Sequence, residues 1–320
     1  MSGRDLGRGL PGLVVAGITA VVSGVAVFVN SYAVHSVQPP AVYTTAKNLV
    51  AAFLLLLVSG VAGYVRQESP MAARWITAPR GGAGGSLGPT ARVMAALYVG
   101  VVGGGIAFIL FFDGLAESAA TPAAFLHSSL VVFVAVLAWP VLRERPTLWN
   151  LAAIVALVWG QAALAGGVSG LALRSGQMLV LSATLLWAVE VVLAKRLLAD
   201  LSPGALAVLR MGVGSVVLVG YLGLHHELRL LGSLSGEAVG WVLLTGLILA
   251  VYVATWMTAL SRARALDVTS VLVGAALVTA LLQAAAGTKV LHPEGLGLVL
   301  VALGTAAVLW SSWARRRAAT

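Results

Sequence analysis

The chain has 320 residues, 60% of them hydrophobic and 10% charged, with a net charge of +9 and no cysteine. A soluble domain carries about 25% charged and 45–50% apolar residues, so this composition excludes a sizeable soluble domain and describes an integral membrane protein. Without cysteine there is no disulfide, no thiolate nucleophile and no thiolate metal site.

About 20 apolar residues cross a bilayer as a helix, and on that length ten spans are predicted in chain order. Spans 1 to 5 fall at 11–34, 41–64, 92–114, 121–142 and 147–166, and spans 6 to 10 at 176–199, 203–224, 237–260, 267–289 and 294–313. Helix-start and turn signals separate them: Pro39-Pro40, Thr121-Pro122, Pro146, Ser202-Pro203, Asp267 and Pro293-Glu294. The first span is too long for a cleavable signal and runs directly into the second. The loop 65–91, containing RGGAGGSLGP, reads as a flexible cytoplasmic linker.

Basic residues orient the spans. With residues 1–10 in the cytoplasm, fifteen of the 20 Lys and Arg fall inside, among them Arg4, Arg8, Arg143, Arg145, Lys195, Arg196, Arg262 and Arg264. The fifteen also include Arg92 and, in the cytoplasmic tail 314–320, Arg315, Arg316 and Arg317. Arg174, Arg229 and Lys289 fall outside, while Lys47 and Arg210 fall within spans. Both termini are therefore expected in the cytoplasm. The positive charge is a topology signal, and no nucleic-acid partner is expected.

The two sets of five spans, 11–166 and 175–313, repeat one another. Pro40 and Lys47 in span 2 match Pro203 and Arg210 in span 7. FFDGLAES (111–118) aligns with WMTALSRA (256–263), and at the same offset Glu144 falls opposite Lys289. Five is an odd number, so the second half enters the bilayer from the opposite side. Inverted repeats around a midplane site are a transporter architecture.

The segment FLHSSLVVFVAVLAWPVLRERPTLWNLAAIVALVWG (125–160), an apolar helix closing on Glu144 before a final helix, resembles the end of an EamA-type half of the drug/metabolite transporter superfamily. LLWAVEVVLAKRLLADLSPGALAVLRMGVGS (185–215) resembles the start of such a half, with its Trp-Ala pair, basic helix end, Pro and in-helix Arg. The resemblance implies an all-α membrane protein of ten transmembrane helices in two inverted repeats. It implies transport of small metabolites or drugs, often exported, and it implies a gating or structural task for Arg210. The chain departs from the family pattern at Ser23-Gly24, where a Trp-small pair is usual, at Lys47 for Arg, and at Lys289 for a second closing Glu.

Polar residues inside the spans are the candidate site. Glu190 and Arg210 flank the turn between spans 6 and 7 at similar depth, as a structural ion pair or as a pair that shifts during alternating access. Lys47 shares a helix face with Tyr43, Thr44 and Asn48 and has only Asn30 and Ser31 as polar neighbours on span 1. It must face the interior, against either an anionic ligand or neutral oxygens, with Leu54–Leu57 left for lipid. His127 is a packing histidine or a titrating group with protons as coupling ion. Trp187 and Tyr252 are deep enough to flank a pocket, and Thr269, Ala276, Thr279 and Gln283 form a small-polar stripe on span 9. Gly100, Gly103, Gly104, Gly105, Gly212 and Gly214 read as helix-packing sites.

No cofactor and no metal are expected; His225-His226 is too weak a signal. An enzyme lacks its constellation of nucleophile, base or paired carboxylates, and a channel lacks charged filter rings. The favoured function is secondary-active transport, by an exporter in the cell (inner) membrane. Its expected substrate is an amino-acid-like or organic anion, a zwitterion or a drug. The alternative is a carrier of phosphorylated or nucleotide-linked sugars.

Overall fold

The computed structural model of the protein describes residues 9–68, 87–148, 150–152, 154–155, 159 and 174–287. Span 10, most of span 5, Lys289 and the basic tail lie outside them. Helices α1 (Gly9–Ala33) and α2 (Pro40–Glu68) are followed by a rod made of α3 (Pro89–Leu97), a π-helical segment (Tyr98–Ile106) and α4 (Ala107–Ala116). Then come α5 (Ala120–Ser128), α6 (Leu130–Leu142), α7 (Ser175–Leu197), α8 (Pro203–Leu224), α9 (Gly236–Arg262), α10 (Ala265–Leu272) and α11 (Gly274–Ala285). Eight helical stretches among the described residues are long and apolar enough to cross a membrane, and they coincide with predicted spans 1 to 4 and 6 to 9. The molecule is a multi-pass membrane protein.

The starts of these helices follow from local chemistry. Three of them, α2, α3 and α8, open on proline, whose missing N–H is an orphan there anyway. The Ser202 and Ser235 hydroxyls accept the Ala205 and Ala238 amides of α8 and α9 at 3.2 Å.

Two spans that read as continuous are broken. Span 4 breaks at Ser129 between α5 and α6, and span 9 breaks at Val273 between α10 and α11. Ser128 and Ser129 donate back to the carbonyls of Ala124 (2.8 Å) and Leu126 (2.6 Å), a habit that bends helices. The apolar pattern runs through the break at Val273, while the break at Ser129 sits on the polar cluster His127-Ser128-Ser129.

Packing is mostly between the halves. Span 1 lies on spans 8 and 9, as span 6 lies on spans 3 and 4; span 2 lies on spans 7 and 8, as span 7 lies on spans 2 and 3. Exchanging each span with the one five further along returns the same pairings. Glycines permit the closest crossings. A Cβ on Gly104 would lie 2.1 Å from the Arg210 carbonyl oxygen, and one on Gly214 would lie 2.2 Å from that of Gly104. Gly212, expected to pack like Gly214, instead faces open space. Leu55, expected in lipid with its neighbours, is buried, whereas Leu56 and Leu57 are exposed.

The π-helical segment has a cause in the repeat. Gly100 and Gly246 hold matching places: a Cβ on Gly100 would strike Val213 Cβ at 2.6 Å, and one on Gly246 would strike Val50 Cβ at 2.7 Å. Those glycines are 146 positions apart, yet Phe111 and Trp256 further along the same helices are 145 apart. Span 3 thus holds one extra residue, and a π turn is how a helix absorbs one.

Candidate functional site

Matching positions of the two halves line one central cavity. Span 1 contributes Ser23, Ala26, Val27 and Asn30, and span 6 contributes Trp187, Glu190 and Val191. Trp187, Glu190 and Val191 each stand 164 positions after Ser23, Ala26 and Val27. Lys47 of α2 and Arg210 of α8 face the same space, with Phe108, Phe111 and Phe112 from α4, and Leu249, Tyr252 and Trp256 from α9. His127 and Leu130 enter from either side of the break in span 4.

The second half neutralises its own charge. Arg210 Nε donates to Glu190 Oε1 at 2.5 Å, and Nη2 donates to Oε2 at 3.0 Å and to the Gly103 carbonyl at 3.2 Å. That carbonyl, within the π-helical segment, also accepts Trp187 Nε1–H at 2.9 Å. A Cβ on Gly103 would sit 2.2 Å from Glu190 Oε2, so only glycine lets the carboxylate lie there. The expected Glu190–Arg210 pair is therefore formed, bidentate and nearly sealed, at 2% and 4% exposure.

The first half does not neutralise its charge. At the place of Glu190 stands Ala26, and Lys47, 1% exposed, has no carboxylate within ion-pair distance among the described residues. Lys47 Nζ donates to Asn30 Oδ1 at 3.2 Å and lies 3.4 Å from the ring centre of Phe112, with Tyr43 and Phe108 at 5.5 and 5.6 Å. Burying an ion costs several kcal/mol. A desolvated cation–π contact returns about 2 kcal/mol, and a hydrogen bond from a charged group about 1.5–3 kcal/mol. The amine is housed, with no carboxylate beside it among the described residues to cancel a positive charge.

Seven of the ten predicted site residues border the cavity: Asn30, Lys47, His127, Trp187, Glu190, Arg210 and Tyr252. Tyr43 stands behind Lys47, its hydroxyl donating to Asn30 Oδ1 at 2.5 Å. Asn48 is fully buried with neither side-chain polar atom bonded. Gln283 lies half-buried near the end of α11, apart from the lining residues. His127 packs edge-on against Trp187 and Phe111 at 5.1 and 5.4 Å, with Nδ1 buried and unbonded. Sequence reasoning missed the three phenylalanines. Their spacing of three and one puts them on a single helix face, which was a readable signal beside a buried lysine.

A second set of contacts closes one end of the bundle. Arg143 adopts a left-handed conformation (φ 57°) after α6 and directs Glu144 across to α10. There the Glu144 carboxylate accepts the amides of Ala265 and Leu266 at 3.2 and 3.1 Å. Lys195 Nζ donates to the carbonyls of Leu260 and Ala263 at 2.6 and 2.7 Å, Arg264 donates to the Arg145 carbonyl, and Arg196 donates to the Val141 carbonyl. Arg92 pairs with Asp200 at 2.9 Å. Each of these basic residues belongs to the set expected on the cytoplasmic face.

No curated protein matches the chain. A crystal structure, described only as that of a protein, is similar over 93% of this chain and 96% of its own, with a TM-score of 0.64 at 14% identity. A likeness at that identity speaks for the fold alone. The EamA-like transporter family model matches twice, at residues 10–165 and again at 174–310. Almost the whole sequence is thereby accounted for, and the chain belongs to the EamA-like transporter family.

Proposed function

We propose that the protein is a secondary-active transporter that works by alternating access around the central cavity, built from ten spans in two inverted five-span halves with both termini in the cytoplasm. Its substrate is a small organic anion or zwitterion with an apolar or aromatic body, such as an amino-acid-like metabolite. The single observation that carries this reading is Lys47, a buried lysine with no carboxylate within ion-pair distance among the described residues, set among aromatic rings at the cavity wall. A carboxylate supplies the missing charge, and the rings of Phe111, Phe112, Trp187 and Trp256 give an apolar body its surface. A phosphorylated or nucleotide-linked sugar would ask for more free cations than Lys47, since Arg210 is already engaged. The proposed location is the cell (inner) membrane, with export as the direction the family implies and protons as the coupling ion.

Purified protein in proteoliposomes tests this. Accumulation of a small aromatic carboxylate is expected when a proton gradient is imposed and is lost when the gradient is collapsed. Lys47→Met, at normal protein level, is expected to cut carboxylate flux at least about ten-fold, the scale of one charge-assisted hydrogen bond. Undiminished flux in Lys47→Met would remove the reading.

A further inference from the structure

Asn30 occupies a telling position. Its Nδ2 donates to the Ala26 carbonyl at 2.6 Å, which fixes the amide and leaves Oδ1 to receive both the Tyr43 hydroxyl and the Lys47 ammonium. The matched pair in the other half is satisfied by a carboxylate, Glu190, at the place where span 1 has Ala26. One helical turn further on, span 1 offers Lys47 a neutral oxygen instead. The two halves thus solve the same problem, a buried cation on their second span, with opposite charge outcomes.

We infer that Asn30 sets the charge selectivity of the cavity: it holds Lys47 in position through a neutral acceptor, so that the positive charge stays available to an anionic ligand. This goes beyond the proposed function by naming the residue that decides which ligand charge is accepted, and it rests on that anion site. An acid at Asn30 would rebuild the ion pair of the other half and discharge the site. An acid at Ala26, the position of Glu190, would do the same from the neighbouring turn.

The measurement is quenching of the cavity tryptophans, Trp187 and Trp256, by matched probes: phenylacetate and its neutral isostere phenylacetamide. Wild type is expected to prefer the carboxylate by about ten-fold, the margin of a charged over a neutral hydrogen bond. Asn30→Asp and Ala26→Glu are each expected to keep measurable amide binding, with the ratio of carboxylate to amide affinity reduced to about two-fold or less. Wild-type preference in either variant overturns the assignment, and so does loss of amide binding in both, since the acid would then not fit beside Lys47. Lys47→Met separates the two claims. If the preference survives in Lys47→Met, or is absent from wild type, the anion site itself falls. If it is lost in Lys47→Met but kept in Asn30→Asp, only the role of Asn30 falls.

Discussion

Replacing Glu190 by glutamine tests the ion pair with almost no change of shape. In the wild type Arg210 gives two charge-assisted hydrogen bonds to the carboxylate and one to Gly103, at 2.5, 3.0 and 3.2 Å. In Glu190→Gln one bond to the amide oxygen and the bond to Gly103 remain, and the guanidinium loses its counter-charge. Both side chains are at most 4% exposed, so water cannot make good the loss. A buried charge left uncompensated costs about 3–5 kcal/mol. The double variant Glu190→Gln with Arg210→Met removes both charges and is expected to recover to within about 1 kcal/mol of wild type, because a neutral replacement of a buried pair is often harmless to stability. Reversible unfolding of the three proteins in detergent gives the comparison as a double-mutant cycle. Transport by the double variant is expected to stay low if the pair must open and re-form during the cycle. A single variant within about 1 kcal/mol of wild type, or additive losses in the double, would refute the reasoning.

Four further outcomes follow from named contacts. Gly103→Ala is expected to behave like Glu190→Gln, losing about 3 kcal/mol, because its methyl would occupy the carboxylate's place. Gly212→Ala, with nothing within 4 Å of the new methyl, is expected to raise stability by up to about 1 kcal/mol in the same unfolding assay. Glu144→Gln weakens the cap on α10 and is expected to lose about 1–3 kcal/mol. Arg143→Gly relieves a left-handed residue and is expected to gain up to about 1 kcal/mol.

Much of this fold is written in single residues. Pro40, Pro203 and Ser202 mark helix starts that the structure keeps, and Glu190 and Arg210 meet because equal distances from one turn put them at equal depth. Lys47 had to point inward because lipid offers it nothing. What sequence could not give depends on contacts between distant helices. The break at Val273 hides in an apolar run. The break at Ser129 falls on the polar cluster His127-Ser128-Ser129, and short polar residues inside a span do not by themselves mark a break. Gly214 and Gly212 look alike in the chain, yet only one faces a neighbouring backbone. The stripe that carries Gln283 is regular in the sequence, but it crosses the break at Val273 and none of its four residues lines the cavity.

The surplus residue in span 3 bears on energetics as well as shape. In a carrier whose two halves were identical, turning the molecule over would exchange its inward- and outward-facing forms, and the two would rest at the same free energy. Here the match between the halves is imperfect at three places along the cavity: an added backbone unit beside Gly103, a serine (Ser23) where the other half has Trp187, and an alanine (Ala26) where it has the acid Glu190. In the alternating-access cycle proposed above, each would give one resting form a contact that its twofold counterpart lacks. Trimming one glycine from Gly103–Gly105 would then be the smallest edit that moves the balance between them.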